Sequence, residues 1–397
     1  MYIYADNAAT TKMSQRALDA MLPFFTDVFA NPSSPHTPGQ RAAEALWQAR
    51  EAIAAVIGCS PREITFTSGG TEADNQALLS AAWNGAKIGK KHIVSTAFEH
   101  HAVLRVLDKL ERQGFSVTLL QPDRDGLIAP MAVDQAIRED TCLVSVMTAN
   151  NEIGTLQPIA EIGAICREKG VVFHTDAVQA AGHIPLDVQA QNIDMLSASA
   201  HKFHGPKGVG FLYVKRGVEL HAVLEGGGQE RGKRAGTENL PAVVGMAAAL
   251  KESQEHIDKY REKLTIIRNR IIDGIKENVP HCALNGDRDK RLPNNINMCF
   301  EGIEGEPLLL LLDHAGIAAS SGSACASGSH DASHVLRSLG LPEEVSRGSL
   351  RLTIGEEITD AQAAHIVQSV TEIVARLRSL SPVWHDCEIG KRPFFFD

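Results

Sequence analysis

This sequence lacks a long run of basic residues. Its 397 residues carry a formal net charge of −9, and Lys and Arg never form a long run. Nucleic-acid binding depends on clustered cations that neutralise phosphates, so this class of function is disfavoured. No apolar run approaches the length of a membrane span, and the start of the chain lacks the basic and apolar regions of a signal peptide. The expectation is a soluble, cytoplasmic protein.

Paired cysteines are missing as well. The seven cysteines show no C-x-x-C spacing, and their odd number disfavours a disulfide framework and a zinc ribbon. Cys142, Cys166 and Cys299 lie in apolar stretches, where a cysteine usually serves as a small, inert hydrophobe. Cys325 differs, because its neighbours in Ser320–Ser329 are Ser, Gly and Ala and offer nothing apolar to pack against. We expect a mobile loop there, since ordering it would bury little apolar surface.

The first part of the chain alternates between β-branched runs and helical patterns. Helical patterns begin near Ser14 and near His36. The runs predicted as strands are Ile64–Thr67, His92–Ser95, Val117–Leu120, Leu143–Met147, Val171–His174, Asp194–Ala198 and Gly208–Val214. Such alternation is typical of βαβ units and predicts an α/β fold with a mostly parallel sheet flanked by helices.

The second part of the chain is predicted to form a smaller α/β domain, joined to the first by a long helix from about Leu240 to Asn278. We place the large domain at 14–257 and the small domain at 1–13 together with 258–397. The predicted elements of the small domain are Asn295–Phe300, Glu306–His314, Ser349–Ile354 and Asp360–Leu377. The aromatic tail from Trp384 is expected to pack on the protein's own surface rather than dock a partner.

Three motifs follow predicted strands and carry polar or charged side chains. Ser68–Glu72 follows the first strand and opens a helix, where Gly70 and Thr71 could hold an anion; a plain tight turn is the alternative. Asp176, in His174–Gln179, could pair with a protonated pyridine nitrogen; a helix N-cap or a metal site with His174 are alternatives.

The third motif contains Lys202, in Ser199–Gly208. A lysine taken out of water can form a Schiff base with an aldehyde cofactor, although most lysines are simply solvated. An anion cradle, an acidic residue and a lysine, each just after a strand, together describe one cofactor site. A metal site built from Cys325, His330 and His334 is an alternative, but the sequence supplies no fourth ligand.

Taken together, these motifs resemble the cysteine desulfurases of the NifS and IscS group, which are fold-type I pyridoxal-phosphate enzymes of the class V aminotransferase family. The resemblance runs nearly end to end, through Asp6–Thr11, Thr67–Glu72, Glu99-His100, Asn150–Gly154, Asp176–Gln179, Ala200–Lys202, Gly226–Gly232, Arg234–Asn239 and Ser320–Ser329. No single motif is specific, but the set is.

The resemblance implies pyridoxal 5'-phosphate as the cofactor. Lys202 would hold it covalently, Asp176 would pair with the pyridinium and His100 would stack on the ring. Arg351 would bind the substrate carboxylate, near Asn7 and Asn151. The full implied cofactor-binding set is Gly70, Thr71, His100, Asn151, Asp176, Gln179, Ser199, His201, Lys202 and, from the second subunit of a homodimer, Thr237.

The implied reaction is the desulfuration of L-cysteine by Lys202, Cys325 and His100, which leaves alanine and a persulfide on Cys325. An iron–sulfur scaffold protein of the NifU or IscU kind, or another acceptor, would then take the sulfur. No resident metal is expected, although Cys325 could ligate an iron–sulfur cluster during transfer. An aminotransferase, a selenocysteine lyase and a non-catalytic sulfur carrier remain alternatives.

Overall fold

The computed structural model describes residues 2–321 and 333–396. Twelve strands lie in this part of the chain, and most of them sit where apolar β-branched runs predict them. Their bounds are β1 Ile3–Tyr4, β2 Ile64–Thr67, β3 His92–Thr96, β4 Ser116–Leu120, β5 Thr141–Ser145, β6 Val172–Asp176, β7 Met195–Ser199, β8 Gly210–Val214, β9 Cys282–Leu284, β10 Asn295–Phe300, β11 Ile317–Ala318 and β12 Ser349–Thr353.

Two helices of the same ranges begin at capping residues where the sequence predicts the start of a helix. Ser14 and His36 accept hydrogen bonds from the first turns of the first and third helices. The bounds are α1 Gln15–Met21, α2 Pro23–Thr26, α3 Thr37–Ile57, α4 Gly70–Lys87, α5 His101–Arg112, α6 Pro130–Ala136, α7 Ile159–Lys169, α8 Gln229–Gly232, α9 Leu240–Asn278, α10 Gly305–His314, α11 His334–Ser338, α12 Glu343–Arg347, α13 Asp360–Ser379 and α14 Pro382–Glu388.

The large sheet has seven strands in the order β2-β8-β7-β6-β5-β3-β4. Only β8 runs against its neighbours, so the other six carboxyl ends share one edge. Adjacent residues such as Ile93 and Val94 face opposite sides, and each side belongs to a separate apolar cluster. Helices therefore cover both faces, which confirms the predicted α/β fold with a mostly parallel sheet.

A second core forms around the antiparallel sheet β12-β10-β9. The long helix α9 reaches both cores, because Leu250 packs in the first and Leu264 in the second. The long connector is thus confirmed, while the domain boundary at 257/258 falls inside it and stays a prediction. No helix in the described ranges is long and apolar enough to cross a membrane.

Three of the cysteines and the aromatic tail lie where the sequence predicts them. Cys142, Cys166 and Cys299 are buried, as predicted, and burial raises the pKa of each thiol to about 11 or 12. The tail packs on its own chain, since Phe394 stacks on His281 at 3.6 Å between ring centroids. Of the predicted loop Ser320–Ser329, Ser320 is buried and the residues from 322, Cys325 included, lie outside the described residues.

Candidate active site

A cavity of about 600 Å³ opens at the shared carboxyl edge of the large sheet. Ligands in open α/β sheets bind beyond such strand ends. Ten residues that the sequence assigns to the site line this one cavity: Gly70, Thr71, His100, Asn151, Asp176, Gln179, Ser199, His201, Lys202 and Arg351. The structure therefore brings together residues that are up to 281 positions apart in the sequence.

The anion cradle lies where β2 ends and α4 begins. Gly69 is the N-cap of α4, so the backbone N–H groups of the first turn face the cavity edge. Ser199 closes the cradle from the other side, because its Oγ lies 3.5 Å from where a Gly69 Cβ would be. His201 also borders the cradle, and its Nδ1 contacts the Thr10 hydroxyl oxygen at 3.1 Å. Burial and nearby Lys202 lower the pKa of His201 to about 4, so at neutral pH its ring is uncharged.

Asp176 ends β6 and lies on the cavity floor. Its Oδ1 accepts the Val178 N–H at 2.9 Å, and the side chain is almost wholly buried. Burial raises the pKa of this carboxyl, against the Val178 hydrogen bond and the nearby Lys202 amine. A buried carboxyl of this kind gains most from a cationic partner such as a pyridinium N–H. His174, two residues earlier, contacts the Ser145 and Ser197 hydroxyls.

Lys202 follows β7 in a short turn and points towards the N-terminal segment. Its Nζ donates hydrogen bonds to the carbonyl oxygens of Ala8 at 2.5 Å and Ala9 at 2.8 Å. Gln179 donates to the same Ala8 oxygen at 3.0 Å. The N-terminal segment thereby fixes the amine and the amide on one wall of the cavity.

His100 caps α5 and forms another wall. Its Nδ1 accepts the Ala102 N–H at 3.1 Å, so the neutral ring carries its proton on Nε2. Burial, followed by the charge of Lys202, lowers the pKa of His100 to about 4. At neutral pH the imidazole is therefore available to accept or donate a proton without being charged at rest.

Arg351 brings a buried cation from β12 to the opposite end of the cavity. One guanidinium nitrogen donates to the Asn151 carbonyl at 3.1 Å and another pairs with Asp6 at 2.9 Å. Its Nε has no hydrogen-bond partner among the described residues. This fixed fork suits a small carboxylate ligand.

Two predicted residues do not line this cavity. Asn7 uses its amide to hold the Thr353 carbonyl at 2.8 Å, which fastens the N-terminal segment to β12. Thr237 is exposed and is not among the residues that line the cavity of its own chain. Cys325, the remaining predicted site residue, lies outside the described residues.

The cavity is also lined by residues to which the sequence analysis gave no part in cofactor or substrate binding, among them Asp74, His101, Glu152 and His334. Asp74 is buried, and its Oδ1 lies 3.6 Å from His174 Nε2. The ring centroids of His101 and His334 are 4.7 Å apart. His101 follows a predicted site residue directly, and Asp74 lies one turn after the glycines of the cradle. Those positions were available signals, as was the place of Glu152 within the motif Asn150–Gly154. The sequence offered His334 only as a ligand of the alternative metal site, and tertiary packing brings it to this cavity.

The donor set fits pyridoxal phosphate. A Cβ on Gly70 would lie 2.5 Å from Val178 Cγ2, so the chain passes there without a side chain, at the point where the phosphate would sit. A buried carboxyl, an amine and neutral imidazoles complete a site of the size and chemistry of the cofactor.

Comparisons with known proteins identify the family. The family model described as aminotransferase class-V matches residues 3–362. Cysteine desulfurase IscS of Clostridium botulinum is 49% identical over 386 residues, with 97% of each chain covered, and that of Methanosarcina thermophila is 48% identical, with 96% of this chain and 94% of the relative covered.

Solved structures agree with this family. A NifS-like protein superposes with a TM-score of 0.89 at 35% identity, covering 95% of this chain and all of the other. SspA in complex with cysteine gives a TM-score of 0.79 at 37% identity, covering 89% and 98%. The chain therefore belongs to the pyridoxal-phosphate-dependent class V aminotransferase family and, within it, to the cysteine desulfurases of the NifS and IscS group.

Proposed function

We propose that this protein removes sulfur from L-cysteine in the cavity described above, places it on Cys325 and releases L-alanine. The observation that carries the proposal is the convergence of an anion cradle, a buried carboxyl, a lysine and a carboxylate-binding arginine in one cavity. The names of the curated relatives support the activity, and the cysteine complex of a solved neighbour supports the substrate.

The cofactor would be held by residues of the large sheet's carboxyl edge. Gly70, Thr71, Ser199 and His201 would bind its phosphate, and Asp176 would bind its ring nitrogen. Asn151 and Gln179 would reach the ring hydroxyl, His100 would lie on the ring face and Lys202 would hold the aldehyde carbon. Bound pyridoxal phosphate supplies an electron sink that weakens the Cα–H and Cβ–S bonds of an attached amino acid.

The substrate would be oriented by Arg351 and worked on by Lys202 and His100. Arg351 has its planar fork fixed by Asp6 and Asn151, so it would receive the substrate carboxylate in one orientation. Lys202, once released from the cofactor, would take the Cα proton. His100 is neutral at rest and would move protons to and from the two sulfur atoms.

The sulfur step balances without an added oxidant. The Cys325 thiolate attacks the substrate sulfur, the new S–S bond forms and the Cβ–S bond breaks. The electron pair of that bond passes to the carbon skeleton, and Cβ gains a proton to become the alanine methyl group. Cβ is thus reduced, while the two sulfur atoms together reach the persulfide oxidation level.

We also propose a sulfur acceptor and a cellular compartment for the reaction. An iron–sulfur scaffold protein is the proposed acceptor of the persulfide sulfur, which the IscS name of the relatives supports. The cytoplasm is the proposed compartment, since a reducing environment keeps thiols unpaired, and the six described cysteines are all free.

Substituting Lys202 and Cys325 separates the two halves of this function. Lys202→Ala should lose the visible absorbance of the covalently held cofactor and all alanine formation. Cys325→Ser should keep that absorbance and its change on adding cysteine, yet form no alanine or sulfide with a reductant present.

The matched control is Lys207→Ala, which removes a neighbouring cavity lysine and should keep the absorbance. Covalent cofactor retained in Lys202→Ala would assign the linkage to another lysine. Normal turnover of cysteine by Cys325→Ser would rule out the desulfurase function, and activity retained on selenocysteine alone would point to a selenocysteine lyase.

We also propose that the enzyme is a homodimer with shared sites. Thr237 is exposed, does not line the cavity of its own chain and follows the exposed glycines Gly226–Gly228, which supports a role in the phosphate site of a partner. A two-fold dimer makes this exchange reciprocal.

Mixed dimers of Lys202→Ala and Thr237→Ala chains test the sharing. Each mixed dimer would contain one doubly altered site and one intact site, so an equal mixture should recover roughly a quarter of the wild-type activity, because half of the dimers are mixed. No recovery after proven subunit exchange would place each site within one chain.

A further inference from the structure

Glu152 holds Ser333 beside the active-site cavity. Its side chain is 3% exposed, and Oε2 accepts a hydrogen bond from the Ser333 hydroxyl at 2.5 Å. The same hydroxyl accepts the N–H groups of Val335 at 3.1 Å and Leu336 at 3.3 Å, because Ser333 is the N-cap of α11. Donor and acceptors are all used, so the hydroxyl has one orientation.

Ser333 borders the segment that contains Cys325. It is the first described residue after 322–332 and comes eight residues after Cys325. On the other side, Ser320 exchanges two backbone hydrogen bonds with Arg351, at 3.2 and 2.6 Å. The segment that contains Cys325 is therefore attached at both ends to residues that line or border the cavity.

Glu152 lies in the same loop as Asn151, and β10 holds its backbone in place. Its carbonyl oxygen accepts the side-chain amides of Asn295 at 3.0 Å and Asn297 at 3.1 Å. The neighbouring Asn151 carbonyl accepts Arg351. One loop thus contacts the arginine for the substrate carboxylate on one side and the attachment of the Cys325 segment on the other.

We propose that Glu152 is a positioning residue for sulfur transfer: through Ser333 it fixes the C-terminal attachment of the Cys325 segment relative to the bound substrate. This inference rests on the proposed function, in which Cys325 attacks the substrate sulfur. Attack at one sulfur atom requires a close and aligned approach, and a misplacement of the order of 1 Å can slow such a step about 100-fold. The Glu152–Ser333 hydrogen bond itself involves none of the side chains proposed to hold the cofactor or the substrate carboxylate.

The predicted signature is a slow sulfur step after normal binding. Glu152→Ala should keep the cofactor absorbance and the rapid spectral change on adding cysteine, with KM changed little. Alanine formation should fall about 10- to 100-fold. Glu152→Gln should recover most of the rate, because the amide oxygen can still accept the Ser333 hydroxyl.

Ser333→Ala tests the same contact from the other side. It should slow alanine formation at least as much as Glu152→Ala does, because it also removes the two N-cap hydrogen bonds of α11. Combining it with Glu152→Ala should slow the reaction no further than Ser333→Ala alone, since the bond between the two residues is already lost. Ser338→Ala is the matched control, because this serine lies on the same helix and, among the described residues, its hydroxyl donates only to the Val335 carbonyl. It should leave the rate at the wild-type level.

Several outcomes overturn the inference. A wild-type rate in Ser333→Ala does so, as does a double variant in which the two losses multiply. If Glu152→Ala fails to fold or to hold cofactor, the Ser333→Ala and Ser338→Ala pair decides alone. Failure of the proposed function is recognised separately, because only then does Cys325→Ser form alanine at the normal rate.

Discussion

Gly70 leaves no room for a side chain where α4 passes the active site. A Cβ there would lie 2.5 Å from Val178 Cγ2, well inside van der Waals contact. Valine is β-branched and stiff about χ1, so it cannot easily turn away. Alanine is normally favoured over glycine within a helix. A loss of cofactor affinity in Gly70→Ala would therefore report this contact and not helix propensity.

Gly70→Ala should weaken cofactor binding about 5- to 150-fold, since overpacking of this kind costs about 1–3 kcal/mol. The apparent Kd can be measured by titrating the apoprotein with pyridoxal phosphate and following absorbance. Adding Val178→Ala removes the clashing methyl group and should restore most of the affinity. Unchanged affinity in Gly70→Ala would show that the first turn of α4 does not approach the cofactor.

Some site residues could be predicted from the sequence and others could not. Gly70, Asp176 and Lys202 each follow a recognisable strand, so their grouping follows from sheet topology alone. Glu152 has no such signal, because its partner Ser333 is 181 positions away and both lie in loops or at a helix start. The role of Arg351 came from the family resemblance, since locally it is an ordinary arginine in a strand.

At the scale of elements, the irregular turn α8 anchors the glycine-rich segment 226–237. Glu230 and Arg231 have positive φ angles of 47° and 61°, a conformation that costs free energy outside glycine. Glu230 offsets this cost through a buried bidentate pair with Arg50, at 2.5 and 2.9 Å, and by accepting the Phe66 N–H at 3.0 Å. The exposed Thr237 segment thus starts from a rigid base.

Glu230→Ala should lower the free energy of unfolding by about 3–5 kcal/mol, because it leaves Arg50 buried without its carboxylate. Glu219→Ala is the matched control: its ion pair with Lys87 is exposed to solvent, and its loss should change the free energy of unfolding far less. Urea unfolding of the holoenzyme variants measures both. Equal destabilisation by the two substitutions would mean that the buried pair does not anchor the segment.

Strand positions were predictable because apolar β-branched runs mark them, but their ends were not. The run Leu143–Met147 predicts a strand, but the observed strand β5 spans Thr141–Ser145. Val146 and Met147 continue beyond the paired part of the strand, and Met147 lines the cavity. The strands β1, β9 and β11 have only two or three residues and show no alternation that a pattern could detect. Their pairing comes from tertiary packing, as with β1 and β11, which are 314 positions apart.

At the scale of the whole molecule, two cores contribute to one cavity. Lys202 and Asp176 come from the large sheet, whereas Arg351 comes from the sheet of the second core, and α9 packs on both cores. The cofactor and the substrate carboxylate are therefore held by different parts of the chain. The attachments of the Cys325 segment, Ser320 and Ser333, lie where these parts meet, next to Arg351 and Glu152.

The most direct test of the central claim is the mass of the Cys325 peptide after one turnover. The holoenzyme would be mixed with one equivalent of L-cysteine without reductant, then digested, and the alanine released would be quantified. If Cys325 is the sulfur acceptor, its peptide should gain the mass of one sulfur atom for each alanine formed. Alanine formed at the normal rate while the Cys325 peptide keeps its unmodified mass would contradict this function.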